Sequence, residues 1–368
     1  MTTPMNTRRR SLFGTLIAAT IAVSCGGGSS ESATTTTVTT TPETTTTVQP
    51  TTVPETTTTT IPVPVMPLTG LPVVDEAAAI RPAIVAKIDN HPGARPQNGL
   101  NNADIVYEEN VEKWTRFAVV FHTNGSDPVG PLRSGRTQDI DLLTSLNRPL
   151  LLWSGGNSSV TSAINKSELV NMSASAASNG GGFFRSSDKK APHNLYSKTT
   201  NIWALDAGRG GTPPPQFAYR AATDAVGGTD VTGLKLTMDG SMRAAWQWDA
   251  ASAKFLRFHE SKVHSDADGN QVAFDNVVVI VCEYKVSPAD PRSPEAQTVG
   301  SGVAWVFTAG KVIEGTWSRA DNHAPWTLTD STGAAIGLTA GRTWVELIRD
   351  EQAVVVPAGQ TLDAIAWP

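Results

Sequence analysis

Apolar side chains fall along this chain in three regimes. A short run, Leu12 to Val23, follows Arg8, Arg9 and Arg10 and ends in small residues before Cys25. A membrane span needs about 20 apolar residues; a shorter run with a basic flank on one side predicts a cleaved export leader, residues 1–25. From residue 26 to 65 the chain is Thr, Ser and Pro-rich with almost no large apolar side chain. Such a segment cannot bury a core and predicts an extended stalk, at about 3.1 Å per residue where it is polyproline-like. From residue 66 onward apolar runs alternate with helical spacing. "PAIVAKI" (82–88), "DIVYEE" (104–109), "RFAVVFH" (116–122) and "PLLLW" (149–153) predict strands. "RTQDIDLLTSLN" and "SVTSAINKSELV" predict helices, the second with serines able to cap its start. The "AVV" and "LLL" cores are apolar on both faces, as strands covered on each side would be. An α/β or α+β N-terminal domain over 66–220 is expected.

Gly and Pro break the pattern in "RGGTPPPQFAYRAATDAVGGTD", and after it strand and turn signals dominate. "AAWQWD", "KFLRF", "VVVIVCEY", "GVAWVFTAGKVIEGTW", "PWTLTDSTGAAIGL" and "TWVELI" predict a mainly β C-terminal domain over 235–368. Its tryptophans, among them Trp246, Trp248, Trp305, Trp317, Trp326, Trp344 and Trp367, are expected mostly in the core, with a sugar-stacking surface as the alternative.

Composition narrows the partners. Loss of the three leader arginines takes the formal charge from −5 to −8, which argues against nonspecific nucleic-acid binding. Ala22-Val23-Ser24-Cys25 resembles a bacterial lipobox, with Cys25 the lipidated residue, and "TRRRSLFG" resembles a twin-arginine leader. With Cys25 acylated, Cys282 is the sole remaining thiol and reads as a buried apolar residue. The expectation is an exported protein on the outer face of the cytoplasmic membrane, anchored there by lipid.

Several motifs carry a family resemblance. "MPLTGLPV", "RPAIVAKIDNHPGARPQNGLNNADIVYEENVE", "VGPLRSGR", "APHNLY", "FDNVVVIVCEY", "GKVIEGTWSR" and "AGRTWVEL" occur in one order across residues 66 to about 350 and resemble the YerB-like bacterial lipoproteins. The resemblance implies a membrane-anchored lipoprotein of two domains and unknown function; it implies no reaction.

Candidate chemistry gathers around the end of the first strand. Asp89, Asn90 and His91 emerge there, and ligands in open α/β sheets bind outside the carboxyl ends of strands. Arg95, Arg133 and Arg136 offer forked donors suited to carboxylate or phosphate oxygens, and Glu108, His193 and Asn194 complete the expected ligand-binding set. The competing expectation is that these charges pair with one another to fix loops. No HExxH, G-x-S-x-G or phosphate-cradling loop occurs, and "SDADGN" lacks the twelfth-position glutamate of a calcium loop, where Val277 stands, so neither metal nor cofactor is expected. Three functions follow in order: noncatalytic binding of an anionic or hydroxyl-rich envelope ligand such as a cell-wall glycan; a wall-acting hydrolase using Glu108 or Asp89 with His193; and a scaffold for other envelope proteins.

Overall fold

The computed structural model describes residues 63–368 except 240 and 241. The expected leader, Cys25 and the stalk up to residue 62 lie outside the described residues. The N-terminal domain contains α1 (Glu76–Ile80), β1 (Ile84–Asp89), β2 (Ile105–Asn110), β3 (Thr115–Phe121), α2 (Gln138–Leu143), β4 (Leu150–Trp153), α3 (Ser158–Lys166), β5 (Val170–Ser173), the short pair β6 (Phe184–Arg185) and β7 (Leu195–Tyr196), and α4 (Thr199–Ala204). The C-terminal domain is mainly β. It contains β8 (Thr229–Met238), β9 (Met242–Asp249), β10 (Lys254–His259), β11 (Lys262–Val263), β12 (Ala273–Phe274), β13 (Asn276–Val281), β14 (Tyr284–Val286), β15 (Pro294–Ala296), β16 (Gly300–Thr308), β17 (Lys311–Arg319), β18 (Thr327–Asp330), β19 (Thr343–Ile348) and β20 (Ala353–Pro357).

Among the described residues, one mixed sheet of 16 strands runs through both domains in the order β11-β10-β9-β8-β17-β16-β13-β19-β2-β3-β1-β4-β5, with β12, β18 and β20 attached at its side. The junction is β19, which pairs in parallel with β13 on one side and with β2 on the other. β1 pairs antiparallel with β3 and in parallel with β4, which continues in parallel to β5.

Period-two alternation sorts the strand residues onto two faces. Ile84, Ala86 and Ile88 of β1 join Val106, Phe117, Leu234, Leu236, Trp246, Phe255 and Trp344 in one core, where the antiparallel β8–β10 layer covers the sheet. Val85, Ile105, Tyr107 and Val120 join Leu142, Leu143, Val160 and Ile164 in the other, under α2 and α3. Both faces are covered, so β1 to β4 are wholly buried, and the polar residues they carry, Lys87, Asp89, Glu108, Glu109 and Arg116 among them, are buried with them. Trp246, Trp317, Trp326 and Trp344 are core residues.

Three local expectations change. The residue that caps α3 is Asn157, whose Oδ1 accepts the Val160 N–H at 2.9 Å, because the helix starts one residue before the run of serines could cap it. β5 begins at Val170, the last residue of the predicted helix, and continues through Ser173, four residues whose apolar–polar alternation is too short to stand out. β8 begins inside the Gly- and Pro-rich break, since Gly228 supplies the φ of +94° needed to turn into it.

Candidate functional site

The carboxyl end of β1 sets the geometry. The Asp89 N–H is bonded to the Pro131 carbonyl at 2.9 Å, and the chain then turns through His91 to Ala94 in one 3-10 turn that His91 caps, its Nδ1 accepting the Gly93 N–H at 3.0 Å. Asp89 is nearly buried, and its carboxylate is engaged three ways. Oδ1 accepts the His91 N–H at 3.0 Å, while Oδ2 lies 2.6 Å from His193 Nδ1 and 3.2 Å from Arg133 Nε. The His91 ring stacks on His193, centroids 4.1 Å apart and planes 9° apart, with the Trp114 edge against its other side. Burial, with His193 second, lowers the His91 pKa below the ordinary 6.5, so His91 is held neutral.

His193 arrives on the loop between β6 and β7. Asn194 braces that loop: its Oδ1 accepts from Arg185 Nη1 at 2.7 Å, and its Nδ2 donates to the carbonyls of Ser186 and Lys189 at 2.9 and 3.1 Å. Lys189 then clips the loop to the one that follows β1, donating to Ala94 O at 2.8 Å, to Tyr196 Oη at 2.9 Å and to Pro96 O. Between the two loops lies a groove of about 890 Å³, lined among others by Arg95, Phe184, Asp188, Lys190, His193 and Tyr196. Phe184, 42 % exposed, stacks on Tyr196 at 5.6 Å.

A second polar cluster sits on the opposite face of the sheet and is sealed. Glu108 is fully buried, with Oε2 2.5 Å from Arg257 Nη2 and Oε1 accepting from Thr115 Oγ1 at 2.5 Å and Asn90 Nδ2 at 3.1 Å. Arg257 Nη1 donates to His264 Nδ1 at 2.7 Å, which leaves His264 Nε2–H to donate to Gln97 Oε1 at 2.9 Å. Glu346 on β19 accepts from Trp246 Nε1 at 2.8 Å; burial, then the neighbouring Glu108 charge, pushes its carboxyl well above the ordinary range. Gln97 and Arg95 join the two clusters. Gln97 Nε2 donates to Asp89 O at 3.0 Å, and Arg95 Nη2 donates to Asn90 O at 2.9 Å while its side chain lines the groove.

The expected set is thus divided. Asp89, Arg133 and His193 converge and Arg95 reaches the same groove. Asn90 and Glu108 belong to the sealed cluster, and Asn194 braces a loop. Arg136 turns toward the C-terminal domain, with Nε donating to Ser293 Oγ at 2.9 Å and Nη2 paired with Glu112. A carboxylate as enclosed as Glu108 meets no ligand, which removes it from the hydrolase expectation. Sequence reasoning passed over Phe184, Lys189, Lys190 and Tyr196, although aromatic and basic residues interleave around His193 in "FFRSSDKKAPHNLY". Among the described residues no group of three or more His, Cys, Asp or Glu is placed to hold a metal, and no helix is long and apolar enough to cross a membrane.

Comparison with known proteins gives the same two-part division. The models described as "Protein of unknown function (DUF3048)", N-terminal domain and C-terminal domain, match residues 68–212 and 234–345. A Bacillus subtilis (strain 168) protein named "Putative lipoprotein YerB" is 26 % identical over 308 residues, 80 % of this chain and 89 % of the relative. The crystal structure of YerB protein from Bacillus subtilis matches with a TM-score of 0.70 at 22 % identity, covering 79 % of this chain and 99 % of that one, a likeness of fold.

Proposed function

The chain belongs to the two-domain DUF3048 family, and from that premise we propose that it is an envelope lipoprotein, anchored through Cys25, whose N-terminal domain binds an anionic or hydroxyl-rich cell-envelope ligand in the groove between the β1 loop and the β6–β7 loop. The observation that carries this reading is the lining of a groove whose two walls Lys189 already holds together. Phe184, exposed and backed by the buried Tyr196 ring on which it stacks, offers an aromatic surface to the apolar side of a sugar ring, and Arg95 and Lys190 offer positive charge to acidic substituents. Walls fixed before the ligand arrives reduce the ordering cost of binding. Anchoring rests on the lipobox-like Ala22-Val23-Ser24-Cys25 and on the name of the Bacillus relative.

The test is retention of the full chain on fractionated wall polymers, anionic and neutral. Phe184→Ala with Lys190→Ala should weaken retention about tenfold, the equivalent of about 1.4 kcal/mol; equal retention removes the groove as the ligand site. Cys25→Ser should release the chain from membranes, and a variant that stays membrane-bound refutes the lipid anchor.

A further inference from the structure

His193 has one ring nitrogen committed and one free. A carboxylate can only accept, so the 2.6 Å contact with Asp89 places the proton on Nδ1 and leaves a lone pair on Nε2. Among the described residues Nε2 has no hydrogen-bond partner, and the side chain, 18 % exposed, lines the groove. The imidazole is also fixed in orientation: Asp89 is itself held by the His91 N–H and by Arg133, and His91 stacks flat against the ring. Asp89 already has two other partners, so a third is superfluous for satisfying a buried charge. An oriented imidazole with an unused lone pair facing a cavity is what proton abstraction requires.

Resting on the groove reading above, the geometry points to His193 as a general base, positioned by Asp89, that cleaves an acyl ester carried by a hydroxyl-rich ligand. Water is the nucleophile. No hydroxyl or thiol among the described residues is bonded to His193 Nε2, and Ser186 in the same groove donates to Asp188 at 3.0 Å. Nε2 takes one proton from water as its oxygen adds to the acyl carbon. The tetrahedral adduct then breaks the bond between acyl carbon and alkoxy oxygen, and the imidazolium returns that proton to the departing oxygen. The products are a carboxylic acid, which ionises to solvent, and the free hydroxyl. Arg95 and Lys190 line the groove and favour the negative charge that develops on the carbonyl oxygen. A glycosidic bond fits less well, because that chemistry pairs two carboxyl groups about 5 to 9 Å apart, whereas among the described residues Asp188 is the one carboxyl side chain lining the groove, Glu108 is sealed and Asp89 is engaged three ways.

The experiment uses the full chain with p-nitrophenyl acetate and with an O-acetylated polysaccharide, reading nitrophenolate and acetate release beside polymer retention. Wild type should release both, and His193→Gln should be slower by about 10²- to 10⁴-fold. The loss should lie in kcat rather than KM, and added imidazole should restore part of the acetate release from the polysaccharide above the rate that imidazole gives without protein, which a collapsed groove would not allow. Release of nitrophenolate and acetate by wild type no faster than by His193→Gln, with both proteins retained on polymer, overturns the base and leaves the binding reading standing. Ester cleavage that depends on His193 without any polymer retention supports the base and sinks the binding reading.

Discussion

Two charged clusters lie on opposite faces of the same strands, and they differ in what surrounds them. Around Glu108 and Arg257 the charged groups are fully buried and lie under the β8–β10 layer. Around Asp89 and His193 the carboxylate is similarly buried, but the imidazole, 18 % exposed, lines a groove, and the Arg133 side chain is 23 % exposed. The first arrangement holds two domains in register, because Glu108 comes from β2 while Arg257 and Glu346 come from β10 and β19. The second is assembled within one domain and leaves a nitrogen unused. Burial of a charge is therefore no sign of function here; an unspent valence facing solvent is.

The sharpest way to break this contrast is Arg257→Ala, which leaves Glu108 buried without its charge partner and should cost about 3–5 kcal/mol in urea unfolding. A loss as small as that of a surface mutation would mean that the cluster is solvated. Trp246→Phe keeps the ring but removes the donor to Glu346, and should cost about 1–3 kcal/mol by the same measurement.

A pH series sharpens the comparison next. Burial first, with the Arg257 charge also contributing, keeps His259 and His264 neutral well below the ordinary 6.5, so below that pH the unfolded chain binds protons that the folded chain refuses. Glu346 behaves oppositely, keeping its proton when folded while the unfolded chain releases it above about 4.5. Between 4.5 and 6.5 the two imidazoles outnumber the one carboxyl, so the cluster's own contribution rises with pH by about 1.4 kcal/mol per unit, against the opposite pull of Asp104 and Asp239, whose carboxyls burial raises to about 6. Above 6.5 the glutamate is the one group of these three still acting, and the cluster's contribution to the slope reverses. Glu346→Gln isolates the cluster: relative to wild type its denaturation midpoint should rise progressively as pH increases above about 4.5. The smallest effect belongs to the groove: Lys190→Ala should change unfolding free energy by less than about 0.5 kcal/mol, while wall-polymer retention falls severalfold.

The strands that build the site were legible in the sequence because both faces of β1, β3 and β4 are covered and each carries a run of at least three consecutive apolar residues. The position of Asp89 followed from the end of such a run. What remained hidden was pairing across distance. Arg257 meets Glu108 from 149 residues away, and Trp246 meets Glu346 from 100 away; no local spacing encodes either contact. Arg136 was misleading for the same reason, since its forked donors are satisfied by Glu112 and by Ser293 across the domain junction. The groove's aromatic and basic residues were visible as a string around His193, yet their convergence depends on Lys189 bonding to a loop some 90 residues earlier.

The central position of β19 has a consequence for how the chain is made. Residues 343–348 fill the slot between β2 and β13, so a ribosome has finished more than nine-tenths of the polypeptide before the N-terminal strands acquire their neighbour. Until then β2 presents a bare edge, the kind of surface on which chains stick to one another. A nonsense mutation anywhere upstream of Thr343 leaves that edge open for good, and its product should be a substrate for quality-control proteolysis rather than a half-active fragment.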